Sequence, residues 1–467
     1  MRDGVFSNAG GAVTSTLRPY QNEAIARVQQ CYREGARAVL LQLPTGGGKT
    51  HAAAAGVIAP SVARGRRVIF LADLEEIILD TTARLTAQGL HAAPILEGRA
   101  ADPTAPVQVA SQQTLVSWQR RGLELPPADR VILDECHGAP ATTVRALLGH
   151  LRDRGALLLG LTATPARGDG APLDEFDAIV CGPQPRELVA AGALVPCEVL
   201  SPARMLDRCI AMDPVEAALT LGAGRRCVVF APHGAEARRI AADLTAAGEP
   251  AVAVLDSMKR EERRAVRTRL ARSEVQHLVT VRALQKGFDA PVLDCCVLTS
   301  EGTVTSYLQS VGRVLRPSPE TGKRDALVID LRGAVYLHGL PLDDRSWSLA
   351  GGQGKSASVE DAGPGLRRCR ACHAIFPPRT VCPRCGSTLI TDPRPLKVRR
   401  AEMFAQSTVP VAVRAQRYVE GAARKMIGNG MNPQRASSLA RAKAPAWVRE
   451  ALESVGSQMS GGSNRVA

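Results

Sequence analysis

Short apolar runs alternate along the chain with longer segments in which apolar residues recur at helical spacing. Runs that are apolar throughout and bounded by polar residues are typical of strands buried in a parallel sheet. The pattern therefore predicts an α/β protein with two successive parallel-sheet lobes. The first group of predicted strands lies at residues 38–43, 68–71, 107–110, 131–133 and 157–161, and the second at 227–230, 251–254, 278–281, 296–298 and 326–329.

Length and composition extend this organisation. A chain of 467 residues exceeds the size of one hydrophobic core. We predict lobe 1 over residues 1–200 and lobe 2 over residues 201–345. Glycine and serine are frequent in the next segment, which predicts a flexible linker over residues 346–366. A small cysteine-containing module over residues 367–390 and a basic, mostly helical tail with a disordered end over residues 391–467 complete the prediction.

Basic residues concentrate near the end of the chain. The formal net charge is +14, and residues 366–467 hold 18 Lys and Arg against 5 Asp and Glu, so the rest is nearly neutral. Such asymmetry predicts contact with a polyanion, and nucleic acid is the expected partner. The alternative is that the tail aids solubility or follows an arginine-rich composition. The chain lacks a run of 18 apolar residues and an apolar core in its first residues, which predicts a cytoplasmic protein without a membrane partner.

Four of the 12 cysteines form two Cys-x-x-Cys pairs, Cys369 with Cys372 and Cys382 with Cys385. Two such pairs separated by nine residues have the spacing of a structural Zn²⁺ site with four thiolate ligands. A module this small needs a metal to fold, because it buries little apolar surface. Arginines between the cysteines favour nucleic-acid binding by the resulting zinc ribbon, and docking to a partner protein is the alternative.

Residues 43–50 read Leu-Pro-Thr-Gly-Gly-Gly-Lys-Thr, between an apolar run and an alanine-rich segment. A strand, a glycine-rich loop and a helix start in this order form a phosphate-binding loop, which predicts a nucleotide cofactor. Lys49 would reach the β- and γ-phosphates, and the Thr50 hydroxyl would ligate Mg²⁺. The predicted cofactor-binding residues of the loop are Thr45, Gly46, Gly47, Gly48, Lys49 and Thr50.

Two adjacent carboxylates, Asp134 and Glu135, follow a predicted strand of lobe 1. An aspartate in this position can hold Mg²⁺, and the neighbouring glutamate can polarise the attacking water. Together with Lys49 these residues predict an ATP-hydrolysing site.

The combination resembles the superfamily 2 helicases, in particular the DEAD/DEAH-box group related to type III restriction and excision-repair helicases. The resemblance implies two tandem RecA-like lobes. Residues 17–21, Leu-Arg-Pro-Tyr-Gln, resemble the adenine-recognition motif, in which Gln21 would read the base. Residues 134–137, Asp-Glu-Cys-His, match the box that names the group. His137 would couple the ATP state to Thr162 and Thr164 of the following Thr-Ala-Thr-Pro motif.

Two further motifs of the family fall in lobe 2. Residues 287–291, Gly-Phe-Asp-Ala-Pro, resemble the motif in which Gly287 and Asp289 contact nucleotide and sugar. Residues 307–317 resemble the motif that supplies Gln309, Arg313 and Arg316 to catalysis. The two arginines are three residues apart, so we expect them on one helix face, directed at the γ-phosphate when the lobes close.

Two positions depart from the family pattern. Asp73-Leu74 replaces a His-Arg pair that relatives often carry, which weakens the case for strand contact there. Ser310 stands where several branches have arginine, which removes a possible phosphate contact.

The expected function is an ATP-dependent DNA helicase or translocase. RNA is the alternative substrate, and an ATP-switched nucleic-acid clamp without strand separation is the alternative activity. A built-in nuclease is disfavoured, because none of the eight lysines has Asp or Glu two positions before it, as the common acid-x-Lys nuclease motif requires.

Overall fold

A computed structural model describes most of the two predicted lobes and isolated parts of the remainder. The described residues are 17–99, 101–138, 142–168, 170–206, 209–281, 290–351, 367–368, 375–376, 398–406, 416, 419–420, 423, 426, 431–442, 444, 448–449 and 452.

Helices and strands alternate through most of the described chain. The helices are α1 (Pro19–Arg33), α2 (Lys49–Ala53), α3 (Ala59–Val62), α4 (Glu75–Ala87), α5 (Gln112–Arg120), α6 (Thr142–Asp153), α7 (Pro185–Ala190), α8 (Pro214–Thr220), α9 (Gly234–Ala246), α10 (Arg260–Ala271), α11 (Val304–Val311), α12 (Val335–His338) and α13 (Pro433–Ala442). The strands are β1 (Ala38–Gln42), β2 (Val68–Ala72), β3 (Ala92–Ile95), β4 (Val107–Ser111), β5 (Arg130–Leu133), β6 (Leu157–Thr162), β7 (Ala178–Cys181), β8 (Cys197–Pro202), β9 (Cys227–Phe230), β10 (Ala251–Val254), β11 (His277–Thr280), β12 (Cys295–Leu298), β13 (Ala326–Asp330), β14 (Arg367–Arg368), β15 (Ile375–Phe376) and β16 (Met403–Ala405).

Lobe 1 is built on a parallel sheet with the strand order β3-β4-β2-β5-β6-β1-β7. Its central strands β1, β2 and β4 are buried along their whole length, so they read as continuous apolar runs. Separate apolar cores cover the two faces. One includes Val28 of α1 and Phe70 of β2, and the other includes Leu115 of α5 and Leu147 of α6. Lobe 1 is therefore a three-layer unit built on the parallel sheet that the sequence predicts.

Lobe 2 repeats this plan with the order β10-β11-β9-β12-β13-β8-β16. Strands β8 to β13 are parallel, whereas the edge strand β16 runs antiparallel to β8 and pairs Met403 with Pro202. The strand β16 comes from the segment that the sequence assigned to the basic tail. Part of that segment thus completes the sheet of lobe 2.

Every predicted strand coincides with an observed one, and the two α/β lobes are confirmed. The compact units differ from the predicted boundaries in detail. Lobe 1 contains the described residues up to Arg167, together with Ala171–Leu194 and Asp344–Gly351. Lobe 2 contains Gly168, Gly170, Val195–Asp343 and the described residues from 367 onward. The predicted linker would begin at residue 346. In the structure, Leu349 packs on the core of lobe 1, and its carbonyl accepts a hydrogen bond from the Leu173 N–H.

Aspartates brace the starts of neighbouring strands in both sheets. Asp129, directly before β5, accepts a hydrogen bond of 2.8 Å from the N–H of Arg67, directly before β2. Asp294 before β12 accepts one from Arg226 N–H before β9, also at 2.8 Å. Asp177 before β7 likewise accepts from the N–H groups of Arg37 and Ala38 at the start of β1. In each case one carboxylate joins two parallel strands just before the point where their backbone hydrogen bonds begin.

The described part of the tail contains helix α13 and a small apolar cluster that includes Val419, Ala436, Ala440 and Val448. The four cysteines of the predicted zinc ribbon lie outside the described residues, as does the linker from residue 352 to 366. Within the part of the chain that the structure describes, none of the helices combines the length and apolarity needed to span a membrane.

Candidate nucleotide site

The phosphate loop follows the buried end of β1 and leads into α2, which begins at Lys49. Gly46 and Gly48 have φ values of +89° and +78°, which residues with a side chain rarely adopt. A Cβ atom at Gly47 would lie 3.0 Å from the Pro44 carbonyl oxygen. The three glycines thus give a tight loop whose backbone a ligand could approach, directly before a helix start.

Gln21 lies against this loop and is only 3 % exposed. Its Nε2 donates hydrogen bonds to the carbonyl oxygens of Gly47 at 3.1 Å and Gly48 at 3.4 Å. Its Oε1 accepts a hydrogen bond from the Arg18 N–H at 3.0 Å. The carboxamide therefore bridges the start of α1 and the phosphate loop, and its adenine-reading role stays a prediction.

The carboxylates Asp134 and Glu135 follow β5, whose neighbour β6 lies beside β1 in the sheet. The carboxyl ends of parallel strands meet at one edge, so the acidic pair and the phosphate loop share that edge. Burial, and next the charge of Glu135, raise the pKa of Asp134 to about 7, while Lys49 opposes the rise. Glu135 has a φ of +46°, an unusual backbone conformation for a residue other than glycine.

One chain of contacts runs from the phosphate loop to the Thr-Ala-Thr-Pro motif. Lys49 Nζ lies 3.7 Å from Glu135 Oε1, and the other oxygen of Glu135 lies 3.3 Å from His137 Nδ1. His137 Nδ1 is also 2.8 Å from Thr162 Oγ1. The structure thus brings together four residues that the sequence selected: Lys49, Glu135, His137 and Thr162.

The hydrogen-bond pattern assigns the proton of the His137 ring to Nδ1. The single hydroxyl hydrogen of Thr162 is donated to the Thr164 carbonyl at 3.1 Å, and Oγ1 accepts from the Thr164 N–H at 3.0 Å. An ionised Glu135 offers only acceptors. A protonated Nδ1 of His137 satisfies both neighbours, so the ring is held by the carboxylate and by the Thr-Ala-Thr-Pro motif at once.

A second link joins β1 to the same motif. The buried Gln42 side chain donates a hydrogen bond of 3.1 Å from Nε2 to the Ala163 carbonyl. The N–H of the next residue, Leu43, donates to the Thr162 carbonyl at 3.1 Å. The strand that leads into the phosphate loop is therefore fixed to the segment that contacts His137.

The residues present fit ATP and Mg²⁺. The glycines of the loop let a phosphate approach the backbone, and Lys49 supplies a positive charge. The adjacent carboxylates Asp134 and Glu135 supply the negative charge that a divalent cation would offset. Thr50 and Asp134 would hold the ion, which neutralises charge on phosphate oxygens when bound. Among the described residues, no group of three His, Cys, Asp or Glu side chains is placed to hold a metal ion. Mg²⁺ at nucleotide sites usually keeps several water molecules and substrate phosphate oxygens as ligands.

The predicted site residues of lobe 2 are only partly described. Gln309 is buried on α11, but this helix ends at Val311 and Gly312 forms its C-cap. Arg313 and Arg316 lie in the turns that follow, so the prediction that they share a helix face is wrong. The Arg313 N–H donates to the Ser310 carbonyl at 3.2 Å. A hydrogen bond between residues three apart is typical of the tighter turn at the end of a helix. Gly287 and Asp289 lie outside the described residues.

Sequence reasoning missed two residues of the site, Tyr20 and Gln42. The Tyr20 hydroxyl donates a hydrogen bond to the Gly47 carbonyl at 3.2 Å. Tyr20 stands beside Gln21 in the adenine-recognition motif, and Gln42 is the polar last residue of an otherwise apolar strand. A polar residue in a fully buried strand needs a hydrogen-bond partner, which is the signal that would have identified Gln42.

Two family models match this chain. Residues 14–167 match the family of type III restriction enzyme res subunits, and residues 211–318 match the helicase conserved C-terminal domain. The chain belongs to the superfamily 2 helicases. Within this superfamily it falls in the type III restriction-like branch, and its two sheets are tandem RecA-like lobes.

Relatives of this superfamily 2 helicase occur in viruses and bacteria. A protein of Sulfolobus islandicus filamentous virus, described as helicase 22, is 28 % identical over 249 residues, which are 46 % of this chain and 43 % of the relative. The EcoAI type I restriction endonuclease subunit of Escherichia coli is 30 % identical over 158 residues, or 32 % of this chain and 19 % of the subunit. The helicase thus spans less than half the length of these relatives.

Solved structures share the fold of the helicase. An HsdR subunit fragment from a Vibrio vulnificus type I restriction enzyme has a TM-score of 0.51 at 23 % identity, covering 68 % of this chain and 64 % of the fragment. The DNA-bound type ISP restriction-modification enzyme LlaBIII has a TM-score of 0.52 at 16 % identity, covering 68 % of this chain and 27 % of the enzyme.

Proposed function

We propose that this helicase is a nucleic-acid-dependent ATPase that couples hydrolysis to movement along, or separation of, DNA strands. The observation that carries the proposal is the chain of contacts from Lys49 through Glu135 and His137 to Thr162. It joins the phosphate loop to a motif on the neighbouring strand, so a change at the γ-phosphate can reach Thr162 through packed polar groups. Family membership supports ATP as the nucleotide.

In this proposal Lys49 binds phosphates, Asp134 and Thr50 hold Mg²⁺, and Glu135 polarises the attacking water. Arg313 and Arg316 neutralise charge that develops during hydrolysis, and Gln309 assists them. Support for these three residues comes from the sequence motif and the family. The planar guanidinium group suits charge spread over several phosphate oxygens.

ATP hydrolysis tests the nucleotide site. We expect Lys49→Ala to abolish hydrolysis, because the loop loses its phosphate-binding ammonium group. Lys259→Ala, which removes an exposed lysine of lobe 2, is the matched control and should hydrolyse ATP normally. Equal activity of the two variants would remove the basis of the proposal.

DNA is favoured over RNA by the restriction-enzyme family that residues 14–167 match and by the form of the two sequence motifs in lobe 2. The test is hydrolysis at fixed salt with single-stranded DNA, duplex DNA and single-stranded RNA. Phosphate contacts depend strongly on salt, so the ionic strength must be the same in all three. We expect DNA to stimulate turnover, and stimulation by RNA alone would overturn the choice of DNA.

A clamp that binds nucleic acid under ATP control is the alternative activity. A strand-displacement assay on a duplex with a single-stranded tail separates the two activities. Displacement that needs ATP and disappears in Lys49→Ala supports the helicase, whereas stimulated hydrolysis without displacement or translocation supports the clamp.

We also propose a Zn²⁺ site formed by Cys369, Cys372, Cys382 and Cys385, from their spacing alone. Elemental analysis of the purified chain should give about one Zn²⁺ per molecule, by that four-ligand spacing. Cys382→Ser should lose the metal, and Cys31→Ser, which changes a free cysteine of lobe 1, should retain it. Zinc content that is absent or unaffected by Cys382→Ser would contradict the site.

A further inference from the structure

The Gly47 carbonyl of the phosphate loop accepts hydrogen bonds from two side chains of α1. Tyr20 Oη donates at 3.2 Å and Gln21 Nε2 donates at 3.1 Å. A carbonyl oxygen has two lone pairs, so both of its acceptor positions are used. This backbone group is therefore fixed from outside the loop.

The orientation of the Gly47 carbonyl also determines the orientation of the Gly48 N–H. In a trans peptide, the C=O of Gly47 and the N–H of Gly48 point in opposite directions across one plane. With the oxygen directed at α1, the Gly48 N–H is directed away from it. A phosphate needs N–H groups directed toward it, whereas a carbonyl oxygen in that position would repel it.

The loop is packed closely at this point, which limits alternative orientations. A Cβ atom at Gly48 would lie 2.5 Å from Gln21 Nε2. The Tyr20 hydroxyl also accepts a long hydrogen bond of 3.5 Å from Arg18 Nη1. The start of α1 thus presents a connected set of polar groups to the loop, and Tyr20 is the member whose role the sequence motif did not specify.

We propose that Tyr20 is a positioning residue for phosphate binding. Its hydroxyl holds the Gly47 carbonyl away from the phosphates, so that the Gly48 N–H is oriented before the nucleotide arrives. The inference rests on the proposed function of the loop and adds to it a residue that acts through the backbone. It differs from a role in base recognition, which the neighbouring Gln21 is predicted to have.

The test variant is Tyr20→Phe, which removes the hydroxyl and keeps the ring. The affinities of ATP, tripolyphosphate and adenosine are measured by displacement of a fluorescent ATP analogue from the full chain. Loss of one hydrogen bond should weaken ATP and tripolyphosphate about three- to tenfold and leave adenosine unchanged. The KM for ATP should rise by a similar factor with little change in kcat, because ground state and transition state lose the same contact.

Tyr32→Phe is the matched control. Tyr32 lies on the same helix, and its hydroxyl donates to the Leu158 carbonyl at 2.7 Å, away from the loop. This variant should lower the unfolding temperature and leave all three affinities unchanged.

Each remaining outcome has a defined meaning. Unchanged tripolyphosphate affinity in Tyr20→Phe would overturn the inference, and weaker binding of adenosine would assign Tyr20 to the base instead. A wild-type chain that binds neither ATP nor tripolyphosphate would contradict the proposed function itself, which the Tyr20 variant alone does not test.

Discussion

Glu135 combines an unusual backbone with contacts on both sides. Its φ of +46° lies in the left-handed region, which costs free energy for a residue with a side chain. In this conformation its two carboxylate oxygens face Lys49 at 3.7 Å and His137 at 3.3 Å. The strained backbone is therefore at the residue that we propose polarises the attacking water.

Glu135→Gln should slow hydrolysis and leave ATP binding intact. The amide keeps the size of the side chain but is a poor base, so turnover should fall about 10²- to 10⁴-fold. ATP binding should remain, because the phosphate loop is untouched. Turnover is measured by phosphate release and binding by the fluorescent analogue. Glu75→Gln on α4 is the control, and near-normal turnover of Glu135→Gln would reject its assignment.

Thr162 is the second residue for which the structure predicts a specific effect. Its buried hydroxyl accepts from the Thr164 N–H and contacts His137 Nδ1. Thr162→Val keeps the shape and leaves both groups without this acceptor, so we expect a loss of about 1–3 kcal/mol in the free energy of unfolding. Chemical denaturation measures the loss.

Thr162→Ser provides the matched comparison, because it keeps the hydroxyl and removes only a methyl group. It should retain stimulation of hydrolysis by nucleic acid, whereas Thr162→Val should lose most of it. Equal stimulation in both variants would show that the contact with His137 does not transmit the signal.

The sequence predicted which side chains form the candidate site better than it predicted the backbone and contacts around them. Lys49, Glu135, His137 and Thr162 were selected by motif, and they lie in one network. The prediction that Arg313 and Arg316 share a helix face was wrong. Residues three apart lie on one face only inside a helix, and α11 ends at Val311. Tyr20 was missed because a hydrogen bond from a tyrosine to a backbone carbonyl depends on the path of the loop.

At the scale of elements, β6 depends on a close approach that only glycine permits. A Cβ atom at Gly160 would lie 2.3 Å from Phe176 Cζ and 3.0 Å from Cys136 Sγ. Gly160→Ala should therefore destabilise the protein by about 1–3 kcal/mol through overpacking. Thermal and chemical unfolding measure the effect.

Gly149→Ala is the matched control, since Gly149 lies on α6 with no heavy atom within 4 Å of its hypothetical Cβ. This variant should be slightly more stable, by roughly 0.5–1 kcal/mol, because alanine favours the helix. If Gly160→Ala were as stable as Gly149→Ala, the packing around β6 would be looser than the structure indicates.

The strand-bracing aspartates give a prediction about pH. The hydrogen bond from the Arg67 backbone, and next the Arg66 guanidinium, lower the pKa of Asp129, whereas burial raises the pKa of Asp294. A carboxyl whose pKa is lower in the folded state stabilises the fold above its unfolded pKa of about 3.9, and this contribution is lost as the pH falls through the folded pKa.

Asp129→Asn should therefore unfold at a lower temperature than the wild type near pH 6, and the difference should shrink as the pH falls below about 3.9. Thermal unfolding over a pH series measures it. Asp153→Asn, at the exposed end of α6, should show no such trend. A difference that is constant with pH would mean that the charge of Asp129 contributes nothing.

The sequence predicted the central strands and the apolar edge strand β10, and it missed β3, β7, β8 and β16, which lie at a sheet edge or next to one. Strands β1, β2, β4, β9 and β12 are buried along their length, so they appear as apolar runs. In β3 and β7 only some positions are buried, and β8 contains Glu198 and Ser201. A strand that is partly exposed or carries polar residues has no distinct pattern in a single sequence.

At the scale of the whole molecule, the tail contributes a strand to lobe 2 in addition to its basic residues. Removal of residues 366–467 should lower nucleic-acid affinity and its dependence on salt, because potential phosphate contacts are lost. The same truncation also deletes β16 and leaves the edge of β8 unpaired. Loss of affinity in this variant could thus come from the missing basic residues or from the damaged sheet of lobe 2.

A second truncation separates the two causes. Removal of residues 407–467 keeps β16 and still deletes half of the basic residues of the tail. We expect both truncations to reduce the salt dependence of binding, but only the longer one to lower the unfolding temperature of lobe 2. An unchanged salt dependence in both would place the nucleic-acid surface in the lobes.

The division into two lobes was predictable, because it follows from the order of apolar runs along the chain. Two series of apolar runs indicated two lobes, and the sheets confirm them. The return of residues 344–351 to lobe 1 was not predictable. It depends on Leu349 packing on a distant core and on the Arg345 backbone pairing with the Gln184 side chain, contacts between residues far apart in sequence.

The position of β16 also sets the order in which the protein can be completed during synthesis. All strands of the lobe 1 sheet have been made once the ribosome has passed residue 181, whereas β8, which pairs with β13 on one side, waits for its second partner β16 about two hundred residues further along the chain. Until then the nascent second sheet has an open edge, to which another unfinished chain could pair. A ribosome that stalls before residue 403 would therefore leave a product prone to aggregation, although every residue proposed for the nucleotide site had already been translated.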